Sequence, residues 1–206
     1  MKRYRKDSFI DAGSLPAFKP ILQSWLDVQL AYERAMKHDD QAWWYRERTC
    51  VGFLSAAAWQ SGGVTLEEWQ TEKGPKEKSR HGRCDLYIFR RNQQFFIEAK
   101  HMYSRATGRS ERELTYINRQ LDRAVADASV LQCKRSQQLG VLFVVPFYPP
   151  GKHPESFDEH IAEWLEGVAT VPHSAMAWLY QPRHKIQGKR TEHVSPGVIL
   201  LARTPK

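Results

Sequence analysis

The chain has 206 residues, 41% of them hydrophobic and 26% charged, the composition of an ordinary soluble globular protein with enough length for one well-packed domain. Lysine and arginine outnumber acids 31 to 23, a net charge of +8, which points to an anionic partner, most often nucleic acid. No stretch approaches the roughly 18 apolar residues that span a bilayer. Three scattered cysteines, Cys50, Cys84 and Cys133, without any CxxC pairing, argue against a disulfide scaffold or a zinc finger.

The chain opens MKRYRKDSFIDAG, basic but without the apolar core of a secretory signal, so the expected location is the cytoplasm. From Pro20 to Lys37, apolar residues at Ile21, Trp25, Val28 and Ala35 recur at helical spacing. The segment His38 to Asp40 supplies a break and a cap, and a second helix is expected to run to Gln60, stopped by Ser61-Gly62-Gly63. Val64 to Lys73 reads as a strand, followed by a basic loop from Gly74. Two strands are expected at Arg83 to Arg90 and Gln94 to His101, then a long helix over about Ser110 to Leu131. The apolar run GVLFVVPFY from Gly140 suits a strand buried on both faces. Ser156 and Glu159 form a capping box opening a helix to Gly167, and strands at Ala175–Tyr180 and Val198–Ala202 close the chain. The expected architecture is α/β: a mixed central sheet flanked by helices, with a helical extension over residues 1–38 and an α/β domain over 39–206, a single domain overall. There is no glycine-rich phosphate loop.

The segment RCDLYIFRRNQQFFIEAKH, Arg83 to His101, carries three charges inside an otherwise apolar hairpin: Asp85, Glu98 and Lys100. With Arg91 and Asn92 as a two-residue turn, Arg90 faces Gln93 and, counting back, Asp85 faces Glu98. Strict alternation then places Asp85, Glu98 and Lys100 on one face. Two opposed carboxylates repel, and the flanking LYIF and FFI imply burial, so the pair needs a compensating group. Mg2+, commonly held by one or two carboxylates with water and phosphate oxygens, meets that need. Lys100 projects beside the same place, where it could hold or activate a water attacking phosphorus.

Asp85 followed by Glu98-Ala99-Lys100 resembles the D…(D/E)-x-K signature of the PD-(D/E)xK nuclease superfamily, and over residues 40 to 147 the element order resembles its restriction-endonuclease-like core of helix, three-stranded meander, helix and strand. Cys84, rather than proline, precedes Asp85. The resemblance implies Mg2+-dependent hydrolysis of phosphodiester bonds, with Mn2+ able to substitute. It implies Asp85 and Glu98 as metal ligands, the Ala99 carbonyl as a further ligand, and Lys100 positioning or activating the water.

Members of the superfamily often add an acid from the helix before the sheet. Glu47 is the candidate, with an acid paired to Arg46 or Arg48 as the alternative; Glu68, sharing a face with Val64 and Leu66, is a rival, favoured over Glu67. Gln120 is a candidate support for the lysine or a phosphate, against a plain exposed helical glutamine. A second metal site from His153, Glu155, Asp158 and His160 is rejected, since acids in a helix's first turn answer to its dipole. Basic loops supply candidate phosphate contacts at Lys76, Lys78, Arg80, Arg83, Arg105, Arg109, Arg183, Lys185, Lys189 and Arg190. Trp43, Trp59 and Trp69 read as core rather than as base-stacking platforms. The expected function is a metal-dependent nuclease acting on DNA in preference to RNA, compatible with a homodimer or larger complex. The alternative is a non-catalytic nucleic-acid-binding or assembly protein that keeps the fold.

Overall fold

A computed structural model describes residues 8–37, 39–74, 80–131, 136–148, 157–181 and 195–205. Seven strands form one mixed sheet: β1 (Ser8–Asp11), β2 (Val64–Lys73), β3 (Arg80–Arg90), β4 (Gln93–Arg105), β5 (Gln137–Phe147), β6 (Ala175–Tyr180) and β7 (Gly197–Arg203). Their order is β1-β6-β7-β5-β4-β3-β2. β4 and β5 run parallel; the other neighbours are antiparallel. Four helices flank the sheet: α1 (Lys19–Ala35), α2 (Glu47–Gln60), α3 (Glu111–Ser129) and α4 (Phe157–Val168). None of them is long and apolar enough to cross a membrane.

Two cores follow from the strand alternation. On one face, Leu86, Ile88, Phe95, Ile97, Ala99, Val141 and Phe143 pack with Ile21, Leu22 and Trp25 of α1 and Val51 and Leu54 of α2. On the other, Met102, Leu142, Val144 and Leu201 pack with Leu114, Ile117 and Leu121 of α3 and Trp164 and Leu165 of α4. β5 is buried from Leu139 to Pro146, as its uninterrupted apolar run requires for a strand covered on both sides.

Most expected elements are present, but β3 and β4 are longer than expected, so Arg80 and Arg105 lie with Arg83 on strands, where ladder pairing continues, and not in basic loops; two elements differ further. β1 has no strong sequence pattern of its own, yet it pairs with β6, so the N-terminal residues supply an edge strand as well as a helix. The second helix starts later than expected, at Glu47. Asp40 does not cap it: its carboxylate accepts from the Tyr32 hydroxyl at 2.6 Å, the Tyr45 hydroxyl at 2.9 Å and the Gln41 amide at 2.8 Å. The Trp43 and Trp44 indoles both donate to the Ser195 carbonyl at 3.1 Å. These side-chain anchors hold residues 42–44 in a single 3-10 turn, and Arg46 is extended before the helix begins.

Gly140 sets how closely α3 lies on the sheet. It is the register partner of Glu98, and a Cβ added there would lie 2.3 Å from the Val125 backbone nitrogen. Because the obstacle is backbone, Gly140→Ala must push α3 away from β5. The expected loss is about 1–3 kcal/mol of unfolding free energy, the scale of an overpacked core, measured by chemical denaturation.

Candidate active site

The ladder around Asp85 is interrupted on both sides. β2 pairs with β3 on either side of position 85, with Glu67 against Leu86 and Trp69 against Cys84, but Glu68 and Asp85 form no pair. β3 pairs with β4 from Arg90–Gln93 only as far as Leu86–Ile97. The two-residue turn and the register are therefore those read from the sequence, with both turn residues at positive φ. The strict alternation is not. Glu68 has φ 50°, which turns β2 over, and Trp69 rather than Glu68 joins Tyr87 and Phe96, at ring distances of 5.2 and 5.5 Å. On β3, Cys84 is buried with Phe96, Leu131 and Tyr87, whereas Leu86 and Ile88 face α1 and α2. The expectation that Asp85 stands in one rank with Glu98 and Lys100 is thus corrected: alternation slips at Asp85, and its side chain lines a cleft with Glu47, Arg48, Val51, Glu67 and Glu68.

Asp85 still reaches β4. Its Oδ2 accepts the Ala99 N–H at 2.7 Å. Where β3 stops pairing with β4, a side-chain carboxylate serves the amide, satisfying a buried donor that would otherwise be costly.

Glu98 is 4% exposed. Burial raises its pKa to about 7, against the opposing pull of Lys73 and with a further push from Asp85. The Lys73 Nζ lies 2.6 Å from its Oε1. Lys73 is the last residue of β2, as expected, but the sequence reading missed it as a partner of Glu98. Lys100 pairs with Asp127 of α3, Nζ to Oδ2 2.8 Å. Burial pulls the Lys100 pKa down, but Asp127, Glu47 and Asp85 together outweigh that and raise it. Lys100 therefore stays an ammonium, suited to holding a water or an anion and not to taking a proton. Gln120 does not reach Lys100; its Oε1 accepts from Arg123 at 3.4 Å. Asp127, seven residues and about two turns further along the same face of α3, takes the place considered for it.

Glu47, half-buried at the start of α2, has its pKa raised by burial; Lys100 and the His101 backbone lower it, Asp85 and Asp127 raise it. It pairs with neither arginine considered for it in the ion pairs of the described residues. Arg48 goes to Glu68 at 3.0 Å, and Arg83 to Glu68 at 3.3 Å. Glu68 is thus an exposed, doubly paired acid, and Glu67 lines the same cleft because β2 turns over between them and Trp69. Among the described residues no group of three or more His, Cys, Asp or Glu side chains is placed to hold a metal ion.

The remaining expectations divide. Arg105 and Arg109 are exposed, the latter 3.3 Å from Glu111. Lys76, Lys78, Arg183, Lys185, Lys189, Arg190 and the Arg80 side chain lie outside the described residues, as do Cys133, His153, Glu155 and Ser156. Trp43 is core, but Trp59, in the last turn of α2, is 56% exposed, and Trp69 is 37% exposed because β2 is an edge strand. Cys50 and Cys84 are free and buried, and burial pushes both thiols up to about 12. No family model, no curated protein and no solved structure matches this chain.

The Glu98 shift fixes a pH dependence of stability. The folded protein keeps this proton up to about pH 7, whereas an unfolded glutamate releases it near 4.3. Between those values the native state binds more protons, so stability falls as pH rises through the window. Relative to wild type, Glu98→Gln is expected to lose this decline, so thermal melts from pH 5 to 8 should diverge most at the alkaline end.

Proposed function

We propose that this protein is a cytoplasmic, metal-dependent nuclease with a restriction-endonuclease-like core, acting on DNA in preference to RNA. The observation that carries the reading is the junction of Asp85 with the Glu98-Ala99-Lys100 strand. An acid from β3 reaches the amide of Ala99 at the point where the sheet opens, with Glu98 and Lys100 on either side of that residue and Glu47 and Asp85 lining one cleft. The order α2-β2-β3-β4-α3-β5, with β4 and β5 parallel, agrees with the core that this family resemblance implies.

The donor chemistry suits a hard cation. Carboxylate and carbonyl oxygens are the ligands Mg2+ prefers, and it often takes only one or two carboxylates from a protein. Asp85 and Glu98, with the Ala99 carbonyl, would hold Mg2+, and Mn2+ could substitute; Glu47 is a further acid beside them, while the two arginines on Glu68 take that residue out of contention. When bound, the metal supplies charge stabilisation to the phosphoryl oxygens and the leaving group. Lys100, kept protonated by Asp127, Glu47 and Asp85, positions the attacking water or a phosphate oxygen. Arg105 is an exposed cation available to the phosphate backbone, and Arg83 and Arg109 are exposed cations that would exchange Glu68 and Glu111 for it.

A second reading is favoured by the same charge pairs. Glu98 is neutralised by Lys73 and Lys100 by Asp127, as a nucleic-acid-binding protein without catalysis would have them. Incubation with supercoiled, linear, single-stranded and branched DNA, with and without Mg2+, separates the two. Cleavage dependent on Mg2+ supports the nuclease; salt-sensitive binding without cleavage in Mg2+ or Mn2+ supports the second reading.

Lys100→Ala is expected to lower cleavage by about 10²–10³, the scale of a positioned electrostatic donor, with DNA binding nearly unchanged. A folded Lys100→Ala protein that cleaves at the wild-type rate would refute its role. Cleavage should also rise from pH 6 to 8, because a ligating carboxylate must be ionised and Glu98 holds its proton up to about pH 7.

A further inference from the structure

Lys73 sits in a built position. Its side chain is 18% exposed and its Nζ lies 2.6 Å from the Oε1 of Glu98, whose side chain is 5% exposed. Its stem crosses Gly82, where an added Cβ would fall 2.7 Å from the lysine Cδ and 2.8 Å from its Cγ. The backbone is tethered on both sides: Lys73 pairs with Arg80 of β3 and makes an isolated bridge to Leu131 beyond the sheet edge. The next amide, Gly74, donates to the Val130 carbonyl at 2.8 Å. A surface lysine on a free stem loses rotamer entropy to hold one geometry; here strand pairing and a missing side chain at Gly82 have already aimed it. Lys100 cannot serve Glu98 in the same way, since its ammonium is paired with Asp127.

We propose that Lys73 is an internal counter-cation that occupies Glu98 in the metal-free protein and competes with a divalent metal for that carboxylate. The inference rests on the reading of Asp85 and Glu98 as metal ligands. A buried carboxylate is costly without a partner, and Asp85 nearby adds repulsion. An ammonium at hydrogen-bond distance removes both problems without a metal. It cannot remain when a divalent cation takes the same oxygen, because the two positive charges would repel at a few ångströms in a poorly solvated site. Metal loading therefore requires Nζ to withdraw from Glu98, and Mg2+ affinity is held down by a single replaceable side chain.

The test is isothermal titration of the full chain with MgCl2 at pH 8, without nucleic acid, in parallel with Mg2+-dependent DNA cleavage. Lys73→Met keeps the stem and removes the charge; Lys73→Arg keeps a charge. Gly82→Ala displaces the stem while leaving the ammonium, and covers the case in which Lys73→Met does not fold. The expected result is Mg2+ binding on the order of tenfold tighter or more in Lys73→Met, an intermediate gain in Gly82→Ala, and near wild-type affinity in Lys73→Arg. If wild type cleaves with Mg2+ but neither Lys73→Met nor Gly82→Ala binds Mg2+ more tightly, the competition is wrong and the nuclease reading stands. If no variant binds Mg2+ and none cleaves, both are wrong.

Discussion

The hydrogen bond from the Ala99 amide to the Asp85 carboxylate is the contact on which the rest of the site depends. Antiparallel strands normally satisfy each other's backbone through the ladder. Here β3 leaves β4 after Leu86–Ile97, and an acid side chain replaces the lost backbone partner. That substitution opens the sheet, admits Glu47 from α2 to the same cleft, and still keeps Asp85 joined to the strand that carries Glu98 and Lys100. A neutral apolar residue at 85 would leave the amide unserved at a cost of about 1–3 kcal/mol. Relief of carboxylate repulsion is therefore not the only consequence of removing Asp85.

Around that contact the charges are balanced pairwise. Glu98 has Lys73, Lys100 has Asp127, and Glu68 has Arg48 and Arg83. The exposed arginine pairs contribute little to stability. The Glu98–Lys73 pair differs because both groups are largely buried, and breaking one side would strand the other. Gly140 belongs to the same design: it brings α3 down onto β5 next to Glu98, and α3 is the element that carries Asp127 to Lys100.

Much of the fold was legible in the sequence. Val64–Lys73 and Ala175–Tyr180 are strands with the bounds expected for them, because turn residues flank them closely. The Arg91-Asn92 turn and its register follow from counting. What was not legible depends on long-range partners. β1 is a strand because β6 offers it an edge. The late start of α2 depends on Asp40 binding two tyrosines and on Ser195 accepting two indoles. At the site, Asp85, Glu98, Lys100 and Glu47 stood out as charges in apolar surroundings. Lys73 did not, because in a run of basic residues nothing marks the one whose stem fits over a glycine. The slip at Glu68 and Asp85 was hidden for a similar reason: alternation is a rule for regular strands, and Glu68, at φ 50°, is not a glycine that would announce a positive φ.

Asp85 closes the backbone at Ala99, and under the proposed function it also supplies charge for catalysis. Asp85→Asn separates these two tasks, since the amide oxygen can still accept the Ala99 N–H while the negative charge is gone. The most direct measurement is Mg2+-dependent DNA cleavage by Asp85→Asn beside its thermal melt. The expected result is a folded protein melting close to wild type with cleavage abolished. Wild-type cleavage by the folded Asp85→Asn protein would contradict it.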